Sequence, residues 1–235
     1  MILDKFNLAT TVFQINFKES FLLWDRAGAI ASDMSKIWPD LKVAEGMPDR
    51  QTLRGKNALI QTTMVNGILT LKGEDALSEQ SVLATKKLYE IWREQLDLSV
   101  VERISTRTIY HRDYGSLGDA NRAIFARNLA KLPEGKVFDQ PTDSPLNGVE
   151  LRYRFEDDKS FAFVRLAVES FKYEVELDPA FVEAPHMIKK EKHRVVIDFD
   201  RGMLGGVDSQ KFRVDEWFKG YQHIINRDLE KVLGS

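Results

Sequence analysis

The sequence predicts an α+β fold in which long helices cover one face of antiparallel sheet. Three observations support this prediction: strands that alternate apolar and polar residues, helical segments with an apolar stripe, and an order of elements that occurs twice. Each unit runs strand, helix, several antiparallel strands and long helix, so we predict a pseudo-duplicated chain. Residues 1–97 form the first half and residues 98–235 the second, packed together as one globular unit.

The composition supports a sizeable core and excludes some functions. The chain has 235 residues, 43% of them hydrophobic, with 34 basic and 36 acidic side chains and no cysteine. The balanced charge gives no global attraction to nucleic acid, and the lack of cysteine excludes disulfides and thiolate ligands. No apolar run reaches the roughly 20 residues of a membrane-spanning helix. Since the N-terminus also lacks the features of a signal peptide, we expect a cytoplasmic protein without membrane association.

The elements of the first half follow from local patterns. The stretch TTVFQINF alternates as a half-buried strand, and apolar residues from Leu23 to Ile37 recur at helical spacing until Trp38-Pro39. Residues 41–72 contain short strands, and Asn66-Gly67 predicts a type I′ turn between two of them. Apolar residues from about Leu77 to Leu96 then predict a long helix.

The second half repeats this order. VVERISTRTIY predicts a strand, DANRAIFARNLAKL a helix up to Pro133, and residues 133–148 a loop. Residues 161–177 change phase near Glu169-Ser170, which predicts two strands or one strand with a bulge or bend. The charged stretch MIKKEKHR predicts a loop before an edge strand formed by RVVIDF, and the glycines of RGMLGGVD predict a turn after it. Residues 214–233 predict a final helix with a broad apolar side.

An antiparallel sheet with helices on one side leaves its other face open to solvent. The alternation of side chains along three strands places pairs of charged residues on this face. These pairs are Arg103 and Arg107, Arg152 and Arg154, and Asp198 and Asp200. We predict that the four arginines bind a ligand.

The two aspartates allow two interpretations. Carboxylates at positions i and i+2 of a strand project the same way, so Asp198 and Asp200 could share Mg²⁺. Such a site usually needs a third carboxylate or a substrate phosphate, and no spacing in the chain identifies one. The plain strand alternation favours the alternative, in which both aspartates are solvated or pair with arginines across strands.

Standard catalytic patterns do not occur in the sequence. His111-Arg112-Asp113 matches the catalytic tripeptide of protein kinases, but neither a glycine-rich phosphate loop nor Asp-Phe-Gly accompanies it. The four histidines lack the spacing of metal ligands, and no G-x-S-x-G or phosphate-binding loop is present. The sequence therefore offers no established catalytic constellation.

Four landmarks of the sequence resemble a sporadically distributed bacterial family of functionally uncharacterised proteins of similar length. They are TTVFQINF, VERISTRTIYHRD, VVIDFD and FKGYQHIINRDLEKVLG, which together extend over nearly the whole chain. Arg103 and Arg107 match the pattern of the family's central strand, whereas Thr108 and His111 depart from it. The resemblance implies a bacterial protein that acts beside partners, and it transfers no catalytic residue.

Two functions are consistent with these patterns. The first is a non-enzymatic binding or adaptor protein of a bacterial multi-component system, which needs no cofactor and engages a protein partner or an anionic ligand. The alternative is a metal-dependent phosphoryl-transfer or nuclease-like enzyme, in which Asp198 and Asp200 hold Mg²⁺ and the arginines stabilise phosphate charge. The missing catalytic constellation favours the binding protein.

The last helix suggests how such a protein would associate with another chain. Its apolar side is wider than one packing seam requires, so part of it could contact a protein partner or a second copy in a homo-oligomer. The alternative is that all of this side belongs to the core of the chain. The residues concerned are Trp217, Phe218, Tyr221, Ile224 and Ile225.

Overall fold

A computed structural model describes residues 3–126, 146, 148–176 and 187–233. These residues form nine strands and four α-helices, which confirms the predicted α+β class. The strands are β1 (Asn7–Phe17), β2 (Lys42–Met47), β3 (Arg50–Arg54), β4 (Ala58–Thr63), β5 (Asn66–Lys72), β6 (Val100–Tyr114), β7 (Glu150–Glu156), β8 (Ser160–Glu176) and β9 (Met187–Asp208). The helices are α1 (Leu22–Ile37), α2 (Glu79–Gln95), α3 (Leu117–Phe125) and α4 (Val214–Leu233).

The nine strands form one antiparallel sheet in the order β2-β3-β4-β5-β1-β6-β9-β8-β7. β1 pairs with β6, with Thr11 opposite Thr108, so the sheet runs without interruption from one half of the sequence into the other. Apart from the outermost strand β2, the order is symmetrical about this pair, because β5, β4 and β3 extend outward from β1 as β9, β8 and β7 extend from β6. The duplication of the two halves stays a prediction.

The helices cover one face of this sheet, as the sequence predicts. The indole N–H of Trp92 in α2 donates to Thr62 at 2.9 Å, and that of Trp217 in α4 donates to Thr106 at 2.8 Å. The cross-strand register places both threonines on the same face. One apolar cluster includes Ile30 of α1, Leu88 of α2, Ile124 of α3 and Tyr221 of α4.

The broad apolar side of α4 is used largely within the chain. The side chains of Trp217, Phe218, Tyr221 and Ile225 are buried in the core, and Ile224 packs partly buried against it. A contact between this side of the helix and another chain stays a prediction. Among the residues described, no helix is long and apolar enough to cross a membrane.

The hairpin of β4 and β5 forms as predicted, but its turn lies elsewhere. Asn66 and Gly67 belong to β5, and the chain reverses at Met64 and Val65. Gly67 lacks the positive φ that a type I′ turn requires. A Cβ atom at Gly67 would lie 2.7 Å from the indole ring of Trp92. Glycine is therefore needed here because α2 packs closely against the strand.

The predicted interruption of β8 is wrong. β8 and β9 pair in continuous register from Ser160 to Glu176, whereas the pairing of β9 with β6 ends at His193. Beyond Ser170 the two strands therefore extend past β6 as a two-stranded arm. β6 no longer pairs with β9 in this arm. The apolar residues of β8 therefore need not stay on the same face along the arm.

Two predictions for β9 are also wrong. Gly205 and Gly206 continue the strand instead of forming a turn, and their φ values of 90° and 82° accompany a register shift against β6. The segment MIKKEKHR belongs to β9 instead of forming a loop, and RVVIDF pairs with both β6 and β8, so it is not an edge strand. The predicted loop at 133–148 lies outside the described residues apart from residues 146 and 148, as does the predicted helix beyond residue 126.

Candidate functional site

The sheet face opposite the helices carries all six charged residues that the sequence analysis selected. Arg107 of β6 lies directly opposite Asp200 of β9, and Asp200 lies opposite Phe163 of β8, which in turn lies opposite Arg154 of β7. Directly opposed residues project from the same face of a sheet. β8 separates the arginines of β7 from the aspartates of β9, so the six residues share a face without forming one cluster.

Arg107 forms a bidentate ion pair with Asp198. The Nε and Nη2 atoms of Arg107 donate to the two carboxylate oxygens of Asp198 at 2.7 and 2.5 Å. The side chain of Asp198 is 3% exposed and that of Arg107 is 49% exposed. The hydrogen bonds that Arg107 donates to Asp198 raise the pKa of the Arg107 guanidinium above its ordinary value. Of the two settings expected for Asp198, solvation is therefore wrong, and pairing with an arginine across strands is what the structure shows.

Asp200 has a different environment. Its Oδ1 atom is buried and has no hydrogen-bond partner within the described part of the chain. Burial raises the pKa of Asp200, and the positive charges of Arg103 and Arg107 only partly oppose this effect. Oδ1 of Asp200 is therefore an acceptor that the described residues leave unused.

Arg103 presents an unused donor close to this acceptor. Its guanidinium carbon lies 4.6 Å from the centre of the Phe161 ring, in the geometry of a cation–π contact. Its Nε atom is buried and also lacks a partner among the described residues. Stacking on Phe161 orders the side chain without using its hydrogen-bonding capacity.

These two groups line one pocket of about 270 Å³ on the open face, which we call the Arg103–Asp200 pocket. Gly202 shapes it, because a Cβ atom there would lie 2.2 Å from the ring of Phe161. The absence of a side chain lets Phe161 lie across β9 and support Arg103. The complete lining is Arg103, Arg154, Glu156, Phe161, Phe163, Asp200 and Leu204.

The four arginines predicted to bind a ligand separate into two pairs. Arg103 and Arg154 line the pocket, and Arg154 also pairs with Glu156 at 2.5 Å. Arg107 is engaged with Asp198, and Arg152 forms an ion pair with Glu150. The prediction that these arginines bind a ligand is not tested by this geometry.

A second charged group on the open face was missed by the sequence analysis. Arg165 of β8 pairs with Glu150 at 3.3 Å and with Glu169 at 3.1 Å, and Glu169 also pairs with Arg194 at 3.1 Å. These residues form a chain of alternating positive and negative charges. Strict alternation from Phe161 places Arg165 on this face, before the expected interruption near Glu169-Ser170, but this signal was not used in the sequence analysis.

The geometry does not favour a Mg²⁺ site at the two aspartates. Both oxygens of Asp198 accept hydrogen bonds from Arg107, and two arginines flank Asp200. Within the described ranges, no three residues of the types His, Cys, Asp and Glu are grouped so that they could hold a metal ion. What the pocket offers is an acceptor at Asp200 and a donor at Arg103.

Comparison with models of protein families and with curated proteins finds no match for the chain. The resemblance to an uncharacterised bacterial family therefore stays a prediction. The residues of the open face carry the functional proposal by themselves.

Proposed function

We propose that this protein is a non-enzymatic binding module, and that the Arg103–Asp200 pocket takes up a segment of a protein partner. The observation that carries the proposal is a pair of buried atoms that lack partners among the described residues, Arg103 Nε and Asp200 Oδ1, in two side chains that line the same pocket. More than about 90% of buried polar groups are hydrogen-bonded. The described residues contain seven buried side-chain atoms without a partner, and only these two belong to side chains that line this pocket.

The chemistry of the two atoms favours one class of ligand. Leaving a buried polar group unsatisfied costs about 1–3 kcal/mol, so a ligand that satisfies both atoms recovers this free energy on binding. A peptide group or a carboxamide side chain supplies both an N–H donor for Asp200 and a C=O acceptor for Arg103. A phosphate supplies chiefly acceptors and would bring negative charge against Asp200. A protein segment is therefore preferred to an anionic ligand.

The walls of the pocket are also suited to a protein segment. Phe161, Phe163 and Leu204 provide apolar contact around the two polar groups. Because Arg103 is already stacked on Phe161, little side-chain freedom remains to be lost when a partner binds. The pocket thus combines an apolar surface with a few ordered polar atoms, which is the usual composition of a binding site.

Asp200 lowers the stability of the unbound protein at neutral pH. A carboxyl group whose pKa is raised in the folded state takes up protons on folding, so the folded state loses stability as the pH rises through that pKa. An ionisable group whose pKa is shifted by burial in a cleft is a candidate for a functional site. A partner that donates a hydrogen bond to Asp200 would remove this cost.

Site-specific photo-crosslinking in the cells that express the protein tests the proposal. A photoreactive amino acid in place of Leu204, which lines the pocket, should crosslink to a partner. The same amino acid in place of Leu83, a 53% exposed residue of α2, serves as the matched control and should not. Adding Asp200→Asn to the Leu204 probe should weaken the crosslink, because a neutral carboxamide replaces the charged acceptor. Equal crosslinking from both positions, or a crosslink that Asp200→Asn leaves unchanged, would contradict the proposal.

A further inference from the structure

Arg201 is a half-buried cation on the helix-covered face of the sheet. It lies on β9 next to Asp200 but projects to the opposite side, where its guanidinium carbon lies 5.2 Å from the centre of the Trp217 ring. No carboxylate of the described residues forms an ion pair with it. Burial lowers the pKa of Arg201. Arginines are seldom buried without a counter-ion, so an anionic partner is expected here.

A cavity of about 350 Å³ lies beside this arginine, between α4 and the strands β7, β8 and β9. Apart from its charged residues, the walls are apolar. Phe155 at the edge of the sheet is 57% exposed, which indicates that the cavity opens to solvent at β7. The apolar lining consists of Phe155, Ala162, Val164, Phe199, Ile224, Ile225 and Leu229.

The two other charged residues of the lining neutralise each other. Asp228 accepts hydrogen bonds from Arg227 at 2.8 and 2.6 Å and pairs with Lys231 at 3.3 Å. The carboxylate of Asp228 is therefore already satisfied by two cations. Arg201 remains as the lining cation that has no acidic partner in the described ranges.

We propose that this cavity binds an apolar monocarboxylate of the medium-chain fatty acid class, with its carboxylate on Arg201 and its hydrocarbon chain along α4. A guanidinium binds a carboxylate through two parallel hydrogen bonds, and the apolar walls fit an aliphatic chain. The volume lies at the lower end of the range for ligand pockets, which favours a small ligand. The site lies on the opposite face of the sheet from the Arg103–Asp200 pocket and does not depend on the function proposed for that pocket.

Calorimetric titration of the purified protein with decanoate tests the proposal, with 1-decanol and decylamine as ligands of matched length. The wild type should bind decanoate at least about tenfold more tightly than either control, because only decanoate forms charged hydrogen bonds with Arg201. Arg201→Gln should weaken decanoate binding about tenfold or more and remove the preference. Lys219→Gln, which changes an exposed cation of α4 outside the lining, should stay within about twofold of the wild type.

A second variant separates loss of binding from loss of folding. Ala162→Leu adds bulk inside the cavity while Arg201 remains, so it should abolish decanoate binding with a thermal unfolding curve close to that of the wild type. The proposal is overturned if the wild type does not bind decanoate or binds decanol equally well. It is also overturned if the folded Arg201→Gln protein, or the folded Ala162→Leu protein, binds decanoate as tightly as the wild type.

Discussion

Replacing Arg107 with methionine is expected to destabilise the protein markedly although the arginine is half exposed. The change removes two hydrogen bonds, of 2.7 and 2.5 Å, from Asp198, whose side chain is 3% exposed and cannot turn to solvent. Removing one partner of a fully buried ion pair costs about 3–5 kcal/mol, and a hydrogen bond to a charged group contributes about 1.5–3 kcal/mol. Because water reaches Arg107, we expect a loss near the lower figures, about 2–3 kcal/mol.

Urea unfolding at neutral pH measures this loss as a lower transition midpoint at an unchanged slope. Arg152→Met is the matched control on the same face, since Arg152 is 65% exposed and its loss should change stability by no more than about 0.5 kcal/mol. The double variant Arg107→Met/Asp198→Leu removes both charges and should recover much of the stability. If Arg107→Met costs no more than the control, the conclusion that Asp198 depends on its arginine is refuted.

Three further predictions concern the same face. Asp200→Asn should raise the urea midpoint at pH 7, because it removes the cost of burying the charged carboxylate. The gain should shrink as the pH falls toward 3.8, the ordinary pKa of the group, because protonation then removes the same charge from the wild type. An equal gain at both pH values would contradict this. Gly202→Ala should cost about 1–3 kcal/mol by crowding Phe161. Calorimetric unfolding should show part of this loss recovered in Gly202→Ala/Phe161→Leu, and no loss in the single variant would be evidence against the contact. Added Mg²⁺ should leave the melting temperature unchanged, whereas a rise that disappears in Asp198→Asn/Asp200→Asn would favour the enzyme alternative.

Local sequence patterns were sufficient to predict a helix or strand where one face of the element is buried and the other is exposed to solvent. β1 and α1 illustrate this, because their apolar residues repeat with the period of a strand and of a helix, and Pro39 prevents the helix from continuing. The α+β class follows from such elements, since each apolar face needs a cover.

The errors in the fold arose where distant residues decide the local structure. Gly67 is required by Trp92 of α2, a contact that no pattern around Asn66-Gly67 reveals. The alternation of apolar and polar residues changes phase near Ser170, where β8 and β9 extend beyond the end of β6. From this point on, the alternation no longer indicates which side chains are buried. Both features depend on tertiary contacts rather than on the neighbouring sequence.

The candidate site was predictable as a face but not as a set of contacts. Period-2 alternation placed Arg103, Arg107, Asp198 and Asp200 on the open side of the sheet. Which arginine meets which aspartate depends on the register between β6 and β9, which is shifted by an irregularity between Val101 and Arg103. The burial of Asp198 and the unpartnered atoms of the pocket follow from that register, so the sequence pattern alone did not show them.

The central claim is that Asp200 and Arg103 together bind a protein partner. Its most direct test is the dissociation constant of the partner identified by crosslinking, measured by calorimetry for the wild type and for Asp200→Asn, Arg103→Gln and Arg152→Gln. Each pocket variant should bind about tenfold more weakly or worse, because a neutral carboxamide replaces the charged member of a hydrogen bond, while Arg152→Gln should bind as the wild type does. Wild-type affinity in both folded pocket variants would contradict it.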